Sequence, residues 1–127
     1  MSKVMVVDDA VSELKLMENI LRSAGHQVSC YDGADDLEQR IADERPDLVL
    51  LDIVMPNRNG YETLRGLRKD PRSKDTPVVF VSSKNQQSDR IWAKRQGAAD
   101  YLTKPFSPEQ LLAVVRQSLP AGPGNPS

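Results

Sequence analysis

The chain has 127 residues, enough for a single domain, and its seventeen basic and eighteen acidic residues leave a formal charge of −1. Such a balance gives no field to hold nucleic acid or an anionic membrane, and one cysteine, Cys30, cannot form an internal bridge or a zinc cluster, which fits a reducing compartment. The first apolar run breaks at Asp8 and Asp9, too soon for a signal segment or a membrane span, so a soluble cytoplasmic protein is expected.

In chain order, Val4 to Val7 reads as a first strand, and Val11, Leu14, Met17, Ile20 and Leu21 mark one face of a helix ending at Gly25. Val28 to Tyr31 follows as a second strand. Leu37 and Ile41 mark a second helix that stops before Pro46, then Leu48 to Leu51 forms a third strand. Tyr61, Leu64, Leu67 and Arg68 mark a third helix running toward Pro71, and Val78 to Val81 a fourth strand. A fourth helix over Ser88 to Gln96 ends at Gly97, and Tyr101 to Leu102 is the fifth strand. The last helix carries the clearest start signal, with Ser107 as N-cap, Pro108 at the first position and Gln110 at the third, and Pro120 marks its end.

Five strands alternating with five helices predict a doubly wound α/β fold with a parallel sheet, and the unbroken apolar runs one, three and four suit central strands covered on both faces. Residues 1–119 are expected to be one domain. Residues 120–127 are proline, glycine and small polar residues with nothing to bury, so a disordered tail is expected there.

In such sheets ligands bind beyond the carboxyl ends of the strands, and the polar residues collect at those ends. Asp8 and Asp9 follow strand one, Asp52 closes strand three, Ser82 and Ser83 close strand four, and Thr103 and Lys104 follow strand five. Three carboxylates brought together need a cation, since two such charges about 4 Å apart repel by roughly 4 kcal/mol at an effective dielectric of 20. A hard dication such as Mg²⁺ suits an oxygen-only site, and Lys104 adds a fixed positive charge. With both present, one carboxylate can attack phosphorus while the cations stabilise charge on the transferring oxygens.

The segments VVDDA at Val6 to Ala10, LLDIVMPNRNG at Leu50 to Gly60, VSS at Val81 to Ser83 and DYLTKPF at Asp100 to Phe106 resemble CheY-type receiver domains of two-component response regulators. Each motif is weak alone; four in this order and spacing are specific, and the likeness spans Lys3 to about Leu119. It implies a flavodoxin-like (βα)5 fold with Asp52 as phosphoacceptor. It also implies Mg²⁺ or Mn²⁺ held by Asp8, Asp9, Asp52 and the backbone carbonyl of Val54, with the phosphoryl group bound by Ser82 and Lys104. In similar receivers the hydroxyl at Ser82 moves toward the phosphoryl group and the ring at Tyr101 turns inward. Met55, Pro56, Gly60 and Pro105 would shape the loops, with Gly60 at a tight turn before helix three. The implied partners are a histidine kinase of the CheA type and a downstream protein at the face of helix four, strand five and helix five. No nucleic acid and no membrane insertion are implied. A narrower likeness, in IWAKRQGAADYL from Ile91 to Leu102 followed by TKPF, is to the PilH-type stand-alone regulators of twitching motility and phototaxis.

Other readings stand beside this one. Asp8 and Asp9 could merely favour a helix N-terminus, and Arg65, Arg68, Lys69, Arg72 and Lys74 are most simply a solvated helix face. Trp92 reads as partly buried packing, His26 as exposed, and Cys30 as a small buried apolar group. An aspartyl hydrolase would carry a second acid two residues after its nucleophile, where Val54 stands, so the chain reads as a phosphoacceptor that assists its own phosphorylation and dephosphorylation, not as an enzyme. A nucleotide or flavin module would need a glycine-rich phosphate loop, and neither G-x-G-x-x-G nor a Walker lysine occurs. A receiver-shaped interaction module, or a phosphate sink without a dedicated output partner, is the remaining alternative.

Overall fold

The computed structural model describes residues 2–56, 58–84 and 86–120, so most of the expected disordered tail, 121–127, lies outside the described residues. The elements run β1 (Lys3–Val7), α1 (Val11–Ser23), β2 (Gln27–Tyr31), α2 (Leu37–Glu44), β3 (Leu48–Leu51), α3 (Gly60–Lys69), β4 (Val78–Ser82), α4 (Gln87–Arg95), β5 (Asp100–Thr103) and α5 (Pro108–Ser118). All neighbouring strands are parallel, in the order β2-β1-β3-β4-β5. The expected architecture is therefore met.

Alternation along the strands divides the core into two layers. Met5 and Val7 of β1, Val49 and Leu51 of β3, and Val78 and Phe80 of β4 pack with Leu37, Ile41, Leu64, Leu67 and Ala93, on the side of α2, α3 and α4. Val4, Val6, Leu48, Leu50, Val79 and Val81 point the other way, onto Leu14, Met17 and Leu21 of α1 and Leu111, Val114 and Val115 of α5. Because each residue of these three strands faces a helix layer, the runs contain no polar alternation. The edge strand β2 is exposed at Gln27 and only half-buried from Val28 to Tyr31.

Helix ends follow local chemistry. Gly25 and Gly97 take φ of 94° just past α1 and α4, the left-handed region that costs glycine least. The Ser107 hydroxyl accepts from the amide of Gln110 at 3.1 Å, and the Gln110 side chain accepts from the amide of Ser107 at 2.8 Å, completing the expected capping box. Asn59 caps α3 in the same manner, accepting from the Glu62 amide at 2.9 Å. Four expectations need correction. Val11 is 63% exposed, because it opens α1 at the rim while the buried stripe starts at Leu14. His26 and Cys30 are both partly buried; Cys30 packs beside the α1/α5 layer, and burial pushes its thiol up. Arg68 is not a solvated cation: its guanidinium donates to the carbonyls of Thr76 at 2.8 Å, Lys74 at 3.2 Å and Gly97 at 3.1 Å, tying the approaches to β4 and β5.

Candidate functional site

The strand order reverses at β1, whose two neighbours are reached by connections running in opposite directions, and a crevice opens at the carboxyl ends of β1 and β3. Three backbone hydrogen bonds carry the ladder one step past the strands. The Asp8 amide donates to the Tyr31 carbonyl at 3.1 Å, the Asp52 amide to the Val7 carbonyl at 3.0 Å, and the Lys104 amide to the Ser82 carbonyl at 2.8 Å. Asp8, Asp52 and Lys104 are thus set at one rim by sheet register.

Their side chains meet there. The Lys104 ammonium donates to Asp8 Oδ2 at 2.7 Å, to Asp52 Oδ2 at 3.4 Å, and to Glu13 Oε2. Asp8 is almost wholly buried, and its other oxygen accepts from the amide of Ala10 at 2.9 Å, which shapes the turn into α1. Asp52 Oδ1 accepts from the Val54 amide at 3.3 Å. Burial raises the Asp52 carboxyl above its ordinary value, the charge of Lys104 opposes this, and Asp8 adds to it. For Lys104, burial alone would lower the value; hydrogen bonds to Asp8 and Glu13 and the charge of Asp52 outweigh it and hold the ammonium firmly protonated.

Among the described residues, Asp8, Glu13 and Asp52 form a group in which one carboxylate oxygen from each lies within 4.8 Å of the other two. Three carboxylates around one ammonium leave an uncompensated negative charge. An all-oxygen donor set of this kind fits a hard divalent ion such as Mg²⁺ or Mn²⁺. Asp9 is exposed and lines the open depression of about 490 Å³ above the group, together with Val54, Ser83 and Pro105, but its carboxylate stands outside that close group. Glu13 is the third carboxylate of that close group, and it is bonded to the Lys104 ammonium. Nothing in the motif pointed to it, since an acid in the first turn of a helix is ordinarily read as a partner of the helix dipole.

The remaining expected residues are distributed around this centre. Ser82 is fully buried, with its hydroxyl accepting from the Lys84 amide at 3.3 Å, and Ser83 is the serine that lines the depression. Tyr101 is already turned inward: it is 4% exposed, its ring centroid lies 6.3 Å from that of Phe80, and its hydroxyl donates to the Lys84 carbonyl. Arg90 of α4 sits 5.3 Å over that ring and donates to the Thr103 hydroxyl. Met55 is buried, Pro56 is exposed, and Pro105 follows a cis peptide bond. Gly60 is needed for a reason other than a turn, since it is the first residue of α3 and packs on the backbone of Asp52 and Ile53. Arg58 was also missed. It joins the loop after β3 to α2 through Glu38, by bonds of 2.7 and 2.6 Å.

A family model for the response regulator receiver domain matches residues 4–116. The chain belongs to the response regulator receiver family. This receiver is 41% identical over 119 residues to Protein PilH of Pseudomonas aeruginosa, covering 94% of this chain and 98% of that protein. Among solved structures it is similar to the chemotaxis protein CheY4 of Vibrio cholerae, with TM-score 0.87 and 28% identity over 94% of this chain and 99% of the other. It is likewise similar to the BeF3-activated receiver domain of Klebsiella pneumoniae RstA, with TM-score 0.84 and 33% identity over 91% and 97% of the two chains. Within the receiver, among the described residues, no helix is long and apolar enough to cross a membrane.

Proposed function

We propose that the protein is a cytoplasmic phosphorylation switch in which Asp52 accepts a phosphoryl group from a histidine kinase, in chemosensory control of motility of the kind associated with PilH. The observation that carries this reading is the meeting of Asp8, Asp52 and Lys104 at one rim, with a single ammonium among the three carboxylates of Asp8, Glu13 and Asp52. A hydrolase reading lacks its second acid at Val54, and the 41% identity to PilH favours a signalling partner over a bare interaction module.

In this reading an oxygen of Asp52 attacks phosphorus, the bond from phosphorus to the kinase imidazole nitrogen breaks, and an acyl phosphate is left on Asp52. Asp8, Asp9, Asp52 and the Val54 carbonyl would hold the Mg²⁺ or Mn²⁺, which would supply positive charge to offset that of the phosphoryl oxygens. Lys104 fixes a second positive charge beside them. Met55, Pro56, Gly60 and Pro105 keep the loops bearing these groups in place.

Output passes through Ser82 and Tyr101. The buried position of Tyr101 is one of two whose balance phosphorylation shifts, with the Ser82 hydroxyl leaving the Lys84 amide for the phosphoryl oxygen. The surface that changes is made by α4, β5 and α5, and it is where a downstream protein binds. The kinase is of the CheA type. Residues 1–119 act as one receiver unit.

Incubation with acetyl phosphate and Mg²⁺ tests the reading. One phosphate on Asp52, absent from Asp52→Asn and dependent on the divalent ion, is the expected result. Turnover of unrelated phosphomonoesters would point to the hydrolase instead.

A further inference from the structure

We infer that Glu13 is a counter-ion that draws Lys104 away from Asp52, so that this receiver binds a divalent ion more readily, and a phosphoryl group less readily, than the same site would without it. The inference deepens the proposed function and rests on Asp52 being the phosphoacceptor. An ammonium has three N–H donors, and all three are taken here, by Asp8, Glu13 and Asp52. They are shared unequally. The bond to Asp52, at 3.4 Å, is the longest, while Asp8 stands at 2.7 Å and Glu13 is the remaining acceptor.

Asp8 cannot yield cheaply, because it is buried and its second oxygen holds the Ala10 amide. Glu13 is 40% exposed on the first turn of α1, so water can replace the ammonium at its carboxylate. It is the movable member of the set. Charge gives the sign of its effect. In the unmodified protein, Glu13 adds a third negative charge to a group that must attract a dication. After transfer, a carboxylate of charge −1 is replaced by a phosphoryl group of about −1.5 to −2, and Glu13 then repels the product and competes with it for Lys104.

The test compares wild type with Glu13→Gln, which keeps size and removes charge, and with Glu13→Ala. Mg²⁺ binding to the unmodified protein is titrated calorimetrically, and beryllofluoride binding is titrated at saturating Mg²⁺. For a half-exposed ion pair, each constant should move by about threefold to fivefold. Opposite directions are expected in both variants: weaker Mg²⁺ binding and tighter beryllofluoride binding. A merely structural role would weaken both together. If beryllofluoride binding is unchanged or weaker in the variants, or if Mg²⁺ affinity does not fall, the inference is overturned while the phosphoacceptor reading stands. A wild type that takes no phosphoryl label on Asp52 from acetyl phosphate would overturn both.

Discussion

A Cβ added to Gly60 would lie 2.5 Å from the carbonyl oxygen of Asp52 and 2.7 Å from the Cα of Ile53. The first residue of α3 is therefore seated on the main chain that carries the candidate phosphoacceptor, and its amide donates to the Ile53 carbonyl at 2.8 Å. Both contacts are backbone and cannot turn aside. Gly60→Ala should cost about 1 to 3 kcal/mol of stability and lower the yield of phosphorylated Asp52. Urea unfolding with labelling by acetyl phosphate measures both; a variant of wild-type stability would show that the helix can slide away from the strand end.

Asp52 is a burden on the metal-free fold. Its carboxyl is raised chiefly by burial, so its folded value lies above the unfolded value of 3.8. A raised value means a stabilising contribution that is present below the unfolded pKa and is lost as pH rises through the folded one. At neutral pH the charged form therefore destabilises. Asp52→Asn should stabilise the metal-free protein by on the order of 1 kcal/mol at pH 7, and this advantage should disappear toward pH 3. Mg²⁺ should raise the melting temperature of wild type more than that of the variant. Equal melting temperatures for the two metal-free proteins would contradict this account.

Arg90 covers Tyr101. Its guanidinium lies 5.3 Å from the ring centroid and also donates to the Thr103 hydroxyl, so α4 is fastened to β5 across the Tyr101 ring. An exposed cation over an aromatic face contributes about 0.5 to 1 kcal/mol. Arg90→Ala should loosen the inward position of Tyr101, seen as faster amide exchange along β5 and an altered ring signal in NMR, with Arg90→Lys restoring part of it. Unchanged exchange in the alanine variant would assign the position of Tyr101 to its hydroxyl bond with the Lys84 carbonyl alone.

What could be read from the sequence is what local rules dictate. The apolar runs at Val4 to Val7 and Leu48 to Leu51 announce covered strands because every residue there faces a helix layer, and Gly25 and Ser107 announce helix ends through backbone conformation and side-chain capping. Asp8, Asp52 and Lys104 were legible for a related reason: each directly follows a strand, and parallel register carries strand ends to one rim. Glu13, Arg58, Arg68 and Arg90 are long side chains on helices or loops, and their partners lie in other elements. Nothing in their immediate neighbours separates such a residue from a solvated one. The inward seat of Tyr101 was illegible for the same reason, since its hydroxyl finds its acceptor seventeen residues back along the chain.

The pair Arg58–Glu38 offers a pH-dependent test of how the loop after Asp52 is held. Its two bonds, of 2.7 and 2.6 Å, join that loop to α2, and Arg58 also donates to the Ala34 carbonyl at 3.2 Å. The hydrogen bond from Arg58 lowers the Glu38 carboxyl below its unfolded value of 4.5. A depressed value means stability that is present above pH 4.5 and is lost as pH falls through the folded value. Arg58→Met should therefore be less stable than wild type by about 1 kcal/mol at pH 7, and the difference should narrow toward pH 3 to the part owed to Ala34, which does not titrate. The guanidinium lies against α3 at Gly66, where a Cβ would collide with it and with Glu38. Gly66→Ala should thus show the same narrowing while leaving both charges in the chain. A destabilisation independent of pH in both variants would mean that packing against α3, and not the ion pair, secures the loop.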